Sequence, residues 1–205
     1  MNDFYALLIG IDCYLPNELP DGASYKSLKG CVRDITHVEA FLKRQFNLLS
    51  ERIYKLTASN VDGSSEPSEP PEEWLTYDNI VRKFEEITEK AQPQDQVYIH
   101  NLAEGTTRNA TEEGSFFVGA KGYVLLAACR PSEFAYEYPF NGKESNGALT
   151  YWLLDSLQNL SPDLTYKVIY DRINAKVHSK FTSQTPMLLG QGNSVVLGSD
   201  YASLQ

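Results

Sequence analysis

Near the start of the chain, Phe4-Tyr-Ala-Leu-Leu-Ile-Gly-Ile-Asp12 runs apolar without a break and ends on an acid. That stretch limits the fold more than any other. A strand with one wet face alternates apolar and polar residues, and this one does not. It therefore predicts a strand covered on both faces, as in a parallel sheet held between helices. Its last residue falls at the carboxyl end of a strand, where such sheets bind their ligands.

The rest of the chain repeats the alternation of strand and helix. Val32, Ile35, Val38, Phe41 and Leu42 are spaced as the buried stripe of a helix over Cys31–Phe46. Arg52–Thr57 predicts a second strand. Asn60–Glu73, rich in Ser, Pro, Gly and Glu with almost no apolar anchor, predicts a mobile acidic loop. Thr76 has the chemistry of a helix cap, and Ile80, Val81, Phe84 and Ile87 mark the inward face of a helix ending near Ala91. Gln96–His100 and Tyr123–Cys129 predict two further strands. Helices follow over Ala148–Leu157 and from the cap Thr165 to about Lys180, and Ser194–Gly198 predicts a last short strand. The fold class expected is α/β, a three-layer α/β/α sandwich with a mostly parallel sheet.

With 205 residues, 42% of them hydrophobic, the expectation is one domain over 1–205 with one core. The formal net charge of −9 repels phosphate backbones, so nucleic acid is not an expected partner. No apolar run is long enough to span a bilayer, and the start Met1-Asn2-Asp3-Phe4 lacks the features of a signal peptide. Cys13, Cys31 and Cys129 cannot all pair with one another, which suits free thiols in a cytoplasmic compartment.

The residues at strand ends carry the candidate chemistry. His100 and Cys129 have the types required of a thiol nucleophile and its base, and they also read as ordinary buried strand-end residues. Asp34, three residues after Cys31, sits where an acid stabilises a helix dipole. It would equally serve in an acidic pocket for an Arg or Lys side chain, with Glu133 and Glu137 able to join it. His37 and His178 lack a second ligand at metal spacing, and no phosphate-binding glycine loop occurs, so neither metal nor cofactor is expected.

Tyr5–Asp12 followed by Leu28-Lys-Gly-Cys-Val-Arg-Asp34 resembles the opening of the caspase and metacaspase family of cysteine peptidases, a strand ending "IGI" and then "L-x-G-C-x-x-D". Asp95–His100 resembles the strand leading into the family's histidine motif. Tyr123–Glu137 and Asn146–Asp155 resemble the small-subunit half of bacterial caspase-like proteins. The resemblance implies a caspase-like fold, with 1–100 as a large-subunit-like half and 101–205 as a small-subunit-like half. It implies descent from cysteine-type endopeptidases acting after Arg or Lys, with Cys31 and Asp34 in the wall of the basic-side-chain pocket.

The chain departs from the family after His100. Asn-Leu-Ala-Glu-Gly105 stands where "Y-S-G-H-G" is expected, leaving Glu104 at the place of the histidine, and no "D-x-C-H-S-G" nucleophile motif follows. An internal deletion beginning just after His100 accounts for both. It implies a chain without the catalytic dyad, a pseudo-peptidase binding a peptide or a caspase-like partner chain. The alternative is an active endopeptidase using Cys129 and His100. The deletion also predicts that Tyr123–Cys129 lies directly beside Gln96–His100. Family members can require calcium, but no calcium loop is recognisable here.

Overall fold

The computed structural model describes residues 3–15, 27–60, 64–102, 123–130, 133, 135–140, 142–158, 161 and 163–197. The chain divides into two compact units, Met1–Glu104 and Gly105–Gln205.

The first unit is built around β1, Phe4–Ile11, all eight residues of which are buried. Parallel neighbours flank it on both sides, β2 (Ile53–Ala58) and β3 (Gln96–Leu102), giving the order β2-β1-β3. Helix α1 (Cys31–Phe46) covers the face that carries Phe4, Ala6, Leu8 and Gly10. A Cβ on Gly10 would stand 2.7 Å from Ile35 Cγ1 and 2.9 Å from the Cys31 carbonyl oxygen, so glycine is what lets α1 approach. Asn47 ends α1 in the left-handed conformation that Asn tolerates better than most residues. Helix α2 (Tyr77–Lys90) covers the opposite face, where Ile87 packs with Tyr5, Leu7, Ile9, Tyr54 and Leu56. Thr76 caps α2 by accepting from the Asn79 N–H. The unit is thus three layers, α/β/α, and the parallel sheet follows from a strand apolar on both faces. Cover on the α2 side is uneven: Val97 and Ile99 of β3 remain 42% and 43% exposed.

The segment predicted as a mobile acidic loop is partly anchored. The Glu69 carboxylate accepts from the Ser59 N–H at 2.7 Å and from Ser59 Oγ at 2.6 Å, and the Trp74 indole N–H donates to the Glu69 carbonyl at 2.6 Å. A 3₁₀ turn over Pro71–Glu73 follows. Polar anchors do what the missing apolar ones cannot, and composition alone does not show them.

In the second unit α3 (Ala148–Leu157) packs on α4 (Tyr166–Lys180), and Leu153, Leu157, Ile169, Ile173 and Val177 are their buried apolar residues. Two short antiparallel ladders accompany them. One joins β4 (Val124–Ala127) to β7 (Met187–Gly190), and the other joins β5 (Glu137–Tyr138) to β6 (Asn146–Gly147). Among the described residues the last strand is Met187–Gly190, and Ser194–Leu197 of the expected strand Ser194–Gly198 is not one: Val195 makes an isolated bridge to Thr165, and Leu197 turns into positive φ. The expected pairing of Tyr123–Cys129 with Gln96–His100 would join the two units and is not among the described ladders, in which β4 pairs with β7. Among the described residues no helix is long and apolar enough to cross a membrane.

Candidate functional site

The carboxyl ends of β1 and β2 meet the first turn of α1. Asp12 follows β1 directly, and its N–H and that of Cys13 both donate to the Ala58 carbonyl at 2.8 Å. The α1 N-cap is Gly30, which has no side chain to offer the open N–H groups of the first turn. Asp12 supplies the acceptors instead: Oδ1 takes the Cys31 N–H at 2.8 Å and Oδ2 the Val32 N–H at 3.4 Å. Burial raises the Asp12 pKa, and these two bonds oppose the rise. Cys31 is buried and Asp34, one turn further along, is only 1% exposed. Asp34 thus stands in the first turn of α1, the end of a helix where an acid is favourably placed.

Asp12 was visible in the sequence only as the acid ending a strand, and its capping role depends on a helix beginning nineteen residues later. Glu69 was hidden altogether. Through Ser59, the neighbour of Ala58, it is held at the same strand ends. Burial would raise its pKa, but the bonds from Ser59 outweigh this and keep the carboxylate ionised. Its charge adds to the burial that raises Cys13, and that thiol stays protonated.

His100 lies near the end of β3, buried, with Nδ1 2.8 Å from Tyr98 Oη and the two rings stacked at 5.9 Å. Burial pushes its pKa down to about 4, so the ring is neutral at ordinary pH and a weak base. Cys129 belongs to the second unit. It is buried, and Sγ donates to the Glu133 carbonyl at 3.4 Å. Burial, then the Glu133 charge, raises its pKa, the reverse of what an attacking thiolate needs.

Glu133 also lies in the second unit. Its carboxylate accepts from the Thr185 N–H at 2.7 Å, from Thr185 Oγ1 at 2.9 Å and from the Arg130 N–H at 3.2 Å. These bonds overcome the effect of burial and hold its pKa low. Gln184, which the sequence did not single out, is fully buried beside it; Nε2 donates to the Ala128 carbonyl and Oε1 accepts the Tyr136 N–H. Glu133 and Gln184 together fasten the segment after β4 to the segment before β7. The Glu104 position lies outside the described residues.

Comparison with known proteins supplies a family. The model of the metacaspase, peptidase C14 domain matches residues 5–117, more than half of the chain. Metacaspase-1 of Pyricularia oryzae is 33% identical over 100 residues, which cover 49% of this chain and 21% of that protein. Metacaspase-1B of Aspergillus clavatus is 33% identical over 102 residues, covering 49% and 20%. Metacaspase-1B of Aspergillus niger is 30% identical over 102 residues, covering 49% and 19%. The chain thus spans about a fifth of the length of the curated relatives it matches.

Proposed function

The chain belongs to the metacaspase, peptidase C14 domain family, and from that membership we propose that it is a cysteine-endopeptidase domain by descent that binds peptides or a caspase-like partner chain without cleaving them. The binding element is the turn of Cys31 and Asp34, and the ligand is an Arg or Lys side chain. Glu133 is not needed in this reading, since its carboxylate already carries three bonds inside the second unit.

One observation supports it above the rest. Asp12 holds the first turn of α1 through the Cys31 and Val32 N–H groups, with an acid buried one turn beyond, while burial raises the Cys129 thiol pKa and lowers that of the His100 imidazole, so neither a thiolate nor a strong base is at hand. A thiol that stays protonated and an imidazole with a pKa of about 4 make a poor nucleophile and base. The family's glycine-rich histidine motif, which brings oxyanion donors with it, has no counterpart in the sequence after His100.

The test is direct. Arg- and Lys-terminated fluorogenic peptides are not turned over, with or without calcium, and iodoacetamide labels Cys129 no faster than an ordinary thiol. A labelled peptide ending in arginine binds, and Asp34→Asn weakens it roughly tenfold, the factor carried by about 1.4 kcal/mol. Turnover that both Cys129→Ala and His100→Ala abolish overturns the reading and makes the chain an active endopeptidase.

A further inference from the structure

We propose that Asp12 is the positioning residue of this site: it sets where Cys31 and Asp34 stand, without itself touching the ligand. The inference rests on the pocket reading above and names a residue that reading does not contain.

Four observations carry it. First, Asp12 has a fixed main chain: its N–H donates to the Ala58 carbonyl and its carbonyl accepts the Leu28 N–H, both at 2.8 Å. It therefore belongs to the frame of the sheet. Second, each of its carboxylate oxygens takes one N–H from the first turn of α1, Cys31 at 2.8 Å and Val32 at 3.4 Å. Third, the N-cap position itself has no side chain to take those N–H groups, because it is Gly30. Fourth, Gly10, two residues earlier on the same strand, leaves α1 no slack, with the Cys31 carbonyl 2.9 Å from where a Cβ would stand. The start of α1 is thus located by contact at Gly10 and by hydrogen bonds at Asp12. Asp34 is carried on the same turn, its N–H bonded to the Gly30 carbonyl at 2.8 Å.

A carboxylate suits the task better than an amide. Two N–H donors need two acceptors, and Asn presents one acceptor and one donor. Asp12→Asn therefore keeps the Cys31 bond and loses the Val32 bond, while Asp12→Ala loses both. If Asp12 instead attracted the ligand through its charge, the two variants would be equally impaired.

The experiment uses the full chain and the labelled arginine-terminated peptide, well below each variant's unfolding midpoint. Asp12→Asn should weaken binding about threefold and Asp12→Ala roughly tenfold, a graded loss of up to about 1.4 kcal/mol. Amide exchange at Cys31 and Val32 should quicken in Asp12→Ala while Leu7 and Leu8 of β1 keep their protection. Binding by the unsubstituted chain that Asp12→Ala leaves unchanged overturns the positioning role alone. Equal losses in the two variants with unchanged exchange at Cys31 and Val32 overturn it in favour of direct charge attraction. Failure of the unsubstituted chain to bind at all overturns the pocket reading itself.

Discussion

In the first unit the core is a strand: β1 buries every residue it has, and Leu7, Leu8 and Leu56 of the sheet and Ile35 of α1 are fully enclosed aliphatic side chains. Much of the second unit's packing is aromatic and half-wet. Phe140 stacks on Tyr151 at 4.3 Å and meets Trp152 edge-on at 5.4 Å, Tyr136 stacks on Phe181 at 5.1 Å, and Lys180 Nζ lies 3.9 Å above the Tyr138 ring. None of these rings is fully buried. The first arrangement depends on close packing in a dry interior, where losing a few methylenes leaves a hole. The second spreads its cohesion over many ring contacts, each worth about 0.5–1.5 kcal/mol beyond area burial. It adds polar clamps at Glu133 and Gln184. The family model begins at residue 5, in β1, and matches residues 5–117.

The largest expected effect tests that contrast. Leu7→Ala should cost about 3 kcal/mol, the middle of the range for a large-to-small change in a closed core. Phe140→Ala should cost only about 1–2 kcal/mol, because its ring is partly exposed and its neighbours can close over the gap. Urea unfolding of both variants gives the comparison, and equal costs would erase the distinction between the two packings.

The next effect concerns pH. Neutral His100 is favoured by folding, since its pKa falls from 6.5 to about 4 on burial. Between those values the unfolded chain binds the extra proton and the folded chain does not. Stability from this group is complete above about 6.5 and is lost as pH falls toward 4, by up to about 3 kcal/mol. His100→Gln should flatten that part of the pH–stability curve. A wild-type curve already flat between pH 6.5 and 4 would mean the ring is wetter than its surroundings imply.

The smallest effect is at the strap. Ser59→Ala removes the bond from Oγ to Glu69 and leaves the Ser59 N–H bond in place. A loss of about 1 kcal/mol or less is expected, with faster amide exchange confined to residues 64–74. Exchange that is already fast there in the unsubstituted chain would restore the picture of a mobile acidic loop.

Most of the regular structure was legible because it is written locally. The unbroken apolar run of β1 forces a strand with two covered faces. The 3.6-residue spacing of Ile35, Val38 and Leu42 forces a helix with one, and the Thr76 and Thr165 hydroxyls cap helices that begin one residue later. The thiol and imidazole candidates were legible as residue types, because cysteine and histidine at strand ends are few. Their state was not. The raised thiol of Cys129 and the lowered imidazole of His100 come from burial, which is set by what packs around a residue and not by its neighbours in sequence.

The amino-acid sequence by itself therefore determined the helices, the parallel sheet of the first unit and the family resemblance, but not the short strands β5, β6 and β7. The tertiary structure alone decided that β4 pairs with Met187–Gly190, that Glu133 accepts from Thr185, that Glu69 is tied to Ser59, and that Asp12 caps a helix nineteen residues away. Each of these is a bond between groups far apart in the chain. Helical and strand periodicity record which face of an element is dry, but they carry no term for which distant donor a given carboxylate will meet.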